Sequence, residues 1–310
     1  MRNNDTEREN RGGRNNDTAV VVRCFGAFEV SVGRAAVTSW HAGKARRLFQ
    51  YLLLNRGRII RREKLFETLW PGGAWSRSSS SLKVAVHGLR RTLEQAAGGA
   101  PDHRPVEVVS REHGYQLNAT GLWLDIDEFD GALRAAHAAE ARGARAEAAA
   151  CYRRAARLYT GDFLAGEDGD WVDEQRAYYR TRALHALTSL RADALLRGDH
   201  AEAVDACRRI LDIDPYQEEV YQTLMVLHAR RGELGQVRSW HRMCVRRLQR
   251  DLNVLPAETT RRIFIRAVRG ELRAPEARTT RTDGARRGPA PRSRRPPGAR
   301  PAPRIVRPRR

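Results

Sequence analysis

The sequence is almost without lysine. Of 57 basic residues only Lys44, Lys64 and Lys83 are not arginine. With the abundant alanine this points to a GC-rich genome, so codon bias accounts for part of the arginine excess. Cysteine is also scarce. Cys24, Cys151, Cys207 and Cys244 lie far apart with no CxxC pair, which argues against a metal cluster or a disulfide framework and for small buried thiols in a reducing compartment. No stretch nears the roughly 18 apolar residues of a membrane span, and the first twenty residues hold no apolar run, so neither a span nor a signal peptide is expected. Catalytic motifs are missing too: there is no HExxH, GxSxG or GxGxxG. Gly43-Lys44 has the look of a P-loop end, but Thr38 stands in place of the first glycine and Ala45 in place of Ser or Thr. Asp125, Asp127, Glu128 and Asp130 lack the glycine and spacing of a calcium loop, and suit instead the first turn of a helix. No enzyme activity, metal or cofactor is expected.

What is present is charge, unevenly placed. The chain of 310 residues has net charge +20. Residues 1–19 are neutral, 20–124 carry +9, 125–270 carry +1 and 271–310 carry +10. A concentrated basic balance implies a polyanionic partner, most often nucleic acid. The length suggests about two domains.

Residues 1–19 are polar, repeat Arg-Asn-Asn-Asp-Thr from Arg2 and from Arg14, and read as a disordered leader. Val20 to Thr38 alternates as strands do, with Gly26 and Gly33 as turns, which predicts a small antiparallel sheet. Gly43 to Asn55 has helical spacing, with Asn55 and Gly57 as candidates for a left-handed end. A second helix is expected from Arg61 to Leu69, and Trp70-Pro71-Gly72-Gly73 breaks it. The stretch from Ser78 to Glu94 predicts a third, with Ser78 or Ser79 as its cap. Its apolar face holds Leu82, Ala85, Val86, Leu89 and Leu93, and its other face Ser80, Lys83, His87, Arg90 and Arg91. Val106–Ser110 and Tyr115–Asn118 follow as a hairpin, Gly114 allowing its tight turn.

Strands, helix, helix, loop, helix, hairpin is the order of a winged helix-turn-helix, whose third helix reads the major groove. Lys83 and His87, one turn apart, are the candidates for base edges, with Ser80 before them. Arg90, Arg91, the hairpin-tip Arg111, and Arg61 and Arg62 at the second helix start are candidates for phosphate. The competing reading of each is an ordinary solvated charge.

The stretch KLFETLWPGGAWSRSSSSLKVAVHGLRRTLE resembles the pattern LxxxLW, loop, VxxHVxxLRRxL of the OmpR/PhoB-type DNA-binding domains, and VVSREHGYQL resembles their wing. Two positions depart from it: Ala85 stands where histidine is frequent, and Ser80-Ser81 where Arg-Thr is usual. With VRCFGAFEV before it, the chain from about 20 to 270 resembles the SARP family, the Streptomyces antibiotic regulatory proteins and their relatives. Residues 125–270 predict seven helices: 126–142, 144–159, 171–197, 200–211, 217–231, 234–252 and 257–270. Gly198 and Gly232 lie 34 residues apart, the tetratricopeptide period, and LYTGDFLAG, WVDEQR and LQRDLNVLPAETTRRI resemble the bacterial transcriptional activation domain of that family.

The expected fold is therefore an α+β winged helix over 20–120, an all-α tetratricopeptide-like domain over 125–270, and disordered termini at 1–19 and 271–310. The tail holds thirteen arginines and eight prolines in forty residues, a composition that cannot build a core but could tether DNA without sequence choice. The resemblance implies a DNA-binding transcriptional activator without receiver or ATPase module, in the cytoplasm and on the nucleoid. It would bind promoter direct repeats, dimerise, and contact RNA polymerase holoenzyme or its sigma factor, with Trp75 in the loop 71–77 as an anchor, to switch on a secondary-metabolite gene cluster. The alternative is an interaction scaffold whose repeats bind a protein or small molecule and whose basic regions hold nucleic acid without specificity.

Overall fold

The computed structural model describes residues 20–41, 43–73, 80–98 and 105–273. The leader, Ser78, Ser79, Trp75 and residues 274–310 of the basic tail lie outside the described residues.

Alternation of valines builds the first sheet. β1 (Val20–Arg23) and β2 (Glu29–Val32) pair antiparallel, Val20 opposite Val32 and Val22 opposite Val30, and β3 (Ala35–Ala36) adds to β2. Val20, Val22, Val30 and Val32 are buried while Arg23 and Glu29 face water. A fourth strand, β7 (Leu122–Leu124), pairs parallel to β1 from its other side, giving the order β3-β2-β1-β7. Three residues are too few to show a period, and nothing near them marks a partner a hundred residues away.

α1 (Ala45–Leu54) and α2 (Arg62–Leu69) form where apolar residues recur at helical spacing, and Leu48, Phe49, Leu52, Leu65 and Leu69 fill the core. Asn55 ends α1, but not by left-handed backbone: its φ is −108°, and its side-chain amide donates to Tyr51 O at 2.9 Å. The positive φ, 77°, falls at Gly57.

Between the two helices runs β4 (Ile59–Arg61), which pairs with the hairpin of β5 (Val106–Arg111) and β6 (Gly114–Ala119) in the order β4-β6-β5. Arg61 is thus strand and N-cap at once, and α2 begins one residue later than expected. Gly114 is required for a different reason than its turn. It is not among the positive-φ residues; a Cβ there would sit 2.0 Å from Ile60 O, where β4 crosses β6. α3 (Ser81–Ala96) lies on α1 and β5, with Leu82, Ala85, Val86, Leu89 and Leu93 inward.

The rest is helical: α4 (Asp125–Ala141), α5 (Arg145–Leu158), α6 (Asp170–Arg197), α7 (His200–Ile213), α8 (Glu218–Arg230), α9 (Leu234–Leu252) and α10 (Glu258–Val268). α4 packs on α5, α6 on α7 and α8 on α9, each pair joined by two or three residues. Gly198, φ 71°, ends α6 in the left-handed conformation that a residue with a Cβ rarely adopts, and Gly232 repeats the device at the α8–α9 turn. This is the helix-pair repeat that the 34-residue spacing predicts.

Residues 20–273 fold against each other along one long seam. Phe25 leaves the end of β1 and enters the helical core, with ring centroids 5.1 Å from Phe129, 5.0 Å from Tyr159 and 5.3 Å from Tyr179. The backbone on either side of it bonds to the segment between α5 and α6: Gly26 N to Asp162 O, Leu164 N to Cys24 O, Ala165 N to Gly26 O. Asp125, at the start of α4 as expected, also accepts the N–H groups of Cys24, Phe25 and Ile126 at 2.8–2.9 Å. Among the described residues no helix is long and apolar enough to cross a membrane.

Candidate nucleic-acid interface

α3 is an amphipathic helix whose back is buried by α1 and the wing. Its front is the exposed row Ser81, Lys83, Val84, His87, Arg91 and Glu94. Among the described residues Lys83, His87 and Arg91 have no ion pair and no side-chain hydrogen bond, so their donors point to water. Val84 is 57% exposed between Lys83 and His87. A single exposed apolar side chain is ordinary on a protein surface; here it adds an apolar contact point to an otherwise polar row. The helix period alone places it on this face: at 100° per residue Val84 falls 20° from Arg91.

The helix begins with Ser80 at the N-cap, not with Ser78 or Ser79. Ser80 is exposed and its hydroxyl makes no capping bond. Among the described residues that oxygen has no partner, and it stands beside first-turn N–H groups that the helix itself leaves unpaired.

Two candidate arginines have other work. Arg90, expected on the open face, is half-buried. Its Nε and Nη2 donate to Val108 O at 3.0 and 2.7 Å, and Nη2 also reaches Ser110 Oγ at 2.9 Å. At 80° from Leu82 it lies on the border of the helix's two faces, where the neighbouring β5 decides. Arg62 donates to the hairpin carbonyls Glu112 O at 2.7 Å and Arg111 O at 3.1 Å, and its guanidinium lies 5.7 Å from the Tyr115 ring centroid. The backbone N–H of Arg62 also donates to His113 O at 3.2 Å. Both arginines thus hold the wing, one to α3 and the other to α2.

The remaining cations stay outward. Arg61 is exposed at the N-cap of α2 with no partner among the described residues. Arg111 is exposed at the wing tip, steadied by Nε to Gln116 Oε1 at 2.8 Å, while Gln116 Nε2 reaches Gly57 O at 2.8 Å. So the structure places Ser80, Lys83, His87, Arg91, Arg61 and Arg111 at the surface, and turns Arg62 and Arg90 into the protein. Trp75 lies outside the described residues. Among the described residues no three His, Cys, Asp or Glu side chains gather as metal ligands would. The thiols of Cys24, Cys207 and Cys244 are buried, and burial raises the pKa of each, so they are poor nucleophiles.

Comparison with known proteins agrees with this architecture. A family model described as the C-terminal domain of transcriptional regulatory proteins matches residues 40–117, and one for the bacterial transcriptional activator domain matches 124–268. Regulatory protein AfsR of Streptomyces griseus is 28% identical over 224 residues, 71% of this chain but 22% of that protein, so the chain spans about a fifth of its length. Transcriptional regulator RedD of Streptomyces coelicolor is 26% identical over 246 residues, 76% of this chain and 69% of RedD. Transcriptional regulatory protein MoaR1 of Mycobacterium tuberculosis is 25% identical over 264 residues, 81% of this chain and 80% of MoaR1. The solved structure of Mycobacterium tuberculosis EmbR in complex with a low-affinity phosphopeptide superposes with TM-score 0.60 at 21% identity, covering 81% of this chain and 65% of EmbR, and shows the same fold. A winged helix followed by an activator-type helical domain, together with AfsR and RedD among the relatives, points to the SARP family of transcriptional regulators.

Proposed function

We propose that the protein is a cytoplasmic, sequence-specific DNA-binding activator of transcription and not an enzyme. The observation that carries this reading is the outward row of α3. Three cationic or donor side chains and one exposed valine stand on a helix tied to the wing by Arg90, while Arg62 ties the same wing to α2. In this reading α3 enters the major groove, Lys83 and His87 meet base edges, Val84 meets a thymine methyl, and Ser80 sits near the backbone. Arg91, Arg61 and Arg111 meet phosphates along the flank, positioning the helix without reading sequence.

Dimers on promoter direct repeats, recruitment of polymerase holoenzyme through the loop holding Trp75, and control of a secondary-metabolite cluster extend the reading by family likeness. Recruitment needs little energy: a contact of about 1.4 kcal/mol raises occupancy about tenfold at an unsaturated promoter. The test is selection of genome fragments by the purified full chain at physiological salt, followed by sequencing. A short repeated motif upstream of a few promoters is expected. Uniform recovery of all fragments would overturn the reading in favour of a non-specific scaffold.

A further inference from the structure

The near-zero charge of the helical region conceals a split. Residues 125–233 carry net −6 and residues 234–270 carry +7. In the first part arginines meet carboxylates: Arg142 with Glu147 at 2.9 Å, Arg182 with Asp130 at 2.7 Å, Arg153 with Glu202. On α9 they do not. Arg238, Arg242, Arg246 and Arg250 recur every fourth residue and are all exposed, a stripe about 18 Å long at 1.5 Å per residue. Among the described residues the first three have no ion pair or side-chain hydrogen bond, and Arg250 approaches only its neighbour Asp251, at 3.8 Å.

The stripe borders an open groove of about 730 Å³, whose apolar side is Val245 and the His241 ring stacked on Phe264 at 3.8 Å between centroids. The groove continues into a second cavity of about 340 Å³ with Leu255, Pro256 and Ile265. Leu255 is 68% exposed and Ile265 44%. An apolar trough flanked by evenly spaced, unanswered cations is half of a complementary pair.

We propose that the α9–α10 groove docks an acidic amphipathic helix of another protein. Its carboxylates, one per turn, would meet the arginine stripe, and its apolar face would cover Val245, Phe264 and Leu255. Charge excludes the chain's own C-terminal segment, since residues 274–310 hold twelve arginines and two acidic residues. It also excludes a symmetric second copy, which would set stripe against stripe. A DNA backbone would answer the arginines but leave the apolar side wet. The groove is remote in sequence from α3, and the inference stands without the DNA reading.

The experiment uses the full chain and a fluorescent helical peptide of about 18 residues with glutamate at every fourth position and leucines beside them. A scrambled peptide of the same composition is the control. The expected result is that scrambling, and separately the pair Arg242→Glu and Arg246→Glu, each weaken binding about tenfold. Phe264→Ala is expected to weaken it as well, with unchanged circular dichroism in all variants. A photoreactive group on the peptide is expected to label residues 238–265. Equal binding of the scrambled peptide, unchanged affinity of the arginine pair, or labelling confined to 274–310 would overturn the proposal. So would displacement of the peptide from α9 by a short random-sequence duplex, or a change of oligomeric state on R242E/R246E alone, since each names a different occupant.

Discussion

Side chains of one type do opposite things here, and neighbours decide which. Arg90 and Arg91 are adjacent, yet one is bonded to Val108 O and the other stands in water. Removing them should therefore read out differently. Arg91→Ala is expected to weaken binding to all sequences alike and to lower the salt slope by about one, while Lys83→Ala or His87→Ala should cost about 1–3 kcal/mol and relax base preference at one position. Competition titrations with point-substituted sites, repeated over a salt series, separate the two. Arg90→Ala should instead lower thermal stability by about 1–3 kcal/mol, because it leaves a buried carbonyl with one fewer donor and loosens β5. A thermal melt that matches the parent would show that the bond to Val108 is not structural.

At the scale of elements, the joints between helices and strands hold the chemistry. Glu202, in the first turn of α7, is answered by Arg153 from α5 and Arg197 from α6. The Arg153 hydrogen bond, and then that of Arg197, hold its carboxyl below the usual carboxylate range against the cost of burial. A depressed carboxylate stabilises the fold above its unfolded value of about 4.3 and loses that contribution as pH falls through the folded value. Glu202→Gln should thus lower the melting temperature slightly at pH 7, by the equivalent of about 0.5–1 kcal/mol since the group is partly solvated, and the deficit should vanish in strong acid. Melts from pH 7 to pH 2 test the sign; a deficit that grows toward acid would refute the assignment. The end of β1 is a heavier joint. Phe25→Ala removes a ring from a cluster of Phe129, Tyr159 and Tyr179, and about 3–5 kcal/mol is expected to go with it, measured by denaturant unfolding.

For the whole molecule, that joint means the winged-helix part and the helical part are not beads on a linker. Besides Phe25 and Asp125, α1 reaches the helical region through Gln50 to Glu167 at 3.2 Å and Tyr51 to Trp171 at 5.3 Å between rings. A seam with buried aromatics and backbone bonds should make unfolding cooperative across residues 20–273. Calorimetry of the parent is expected to show one transition, and Asp125→Ala, which strands three backbone N–H groups, should lower it by several kcal/mol or split it in two. Two transitions in the parent would mean that the seam opens independently of the cores.

How much of this was legible follows from range. Amphipathic periods are local, so the seven helices after 125 were readable to within two residues or so, as were α1, the wing and the buried face of α3. The Gly198–Gly232 spacing disclosed helix pairs for the same reason: a positive φ is a property of one residue. The outward set on α3 was legible as a face, but not its membership. Arg90 sits on the helix border and is claimed by a strand eighteen residues away and Arg62 by a turn fifty residues away, while Val84 lies on the outward face by its angle alone but, being apolar, does not figure among the donors of that face. Sequence alone determined the order of the helices and the hairpin, the concentrated positive charge that calls for a polyanionic partner, and the family likeness. Only the tertiary structure decided that Gly114 yields to β4, that β7 joins β1, that Phe25 welds the two parts, and that Arg238, Arg242 and Arg246 of α9 stay unanswered among the described residues. Each of these depends on which surfaces meet, and a one-dimensional period carries no record of distant contacts.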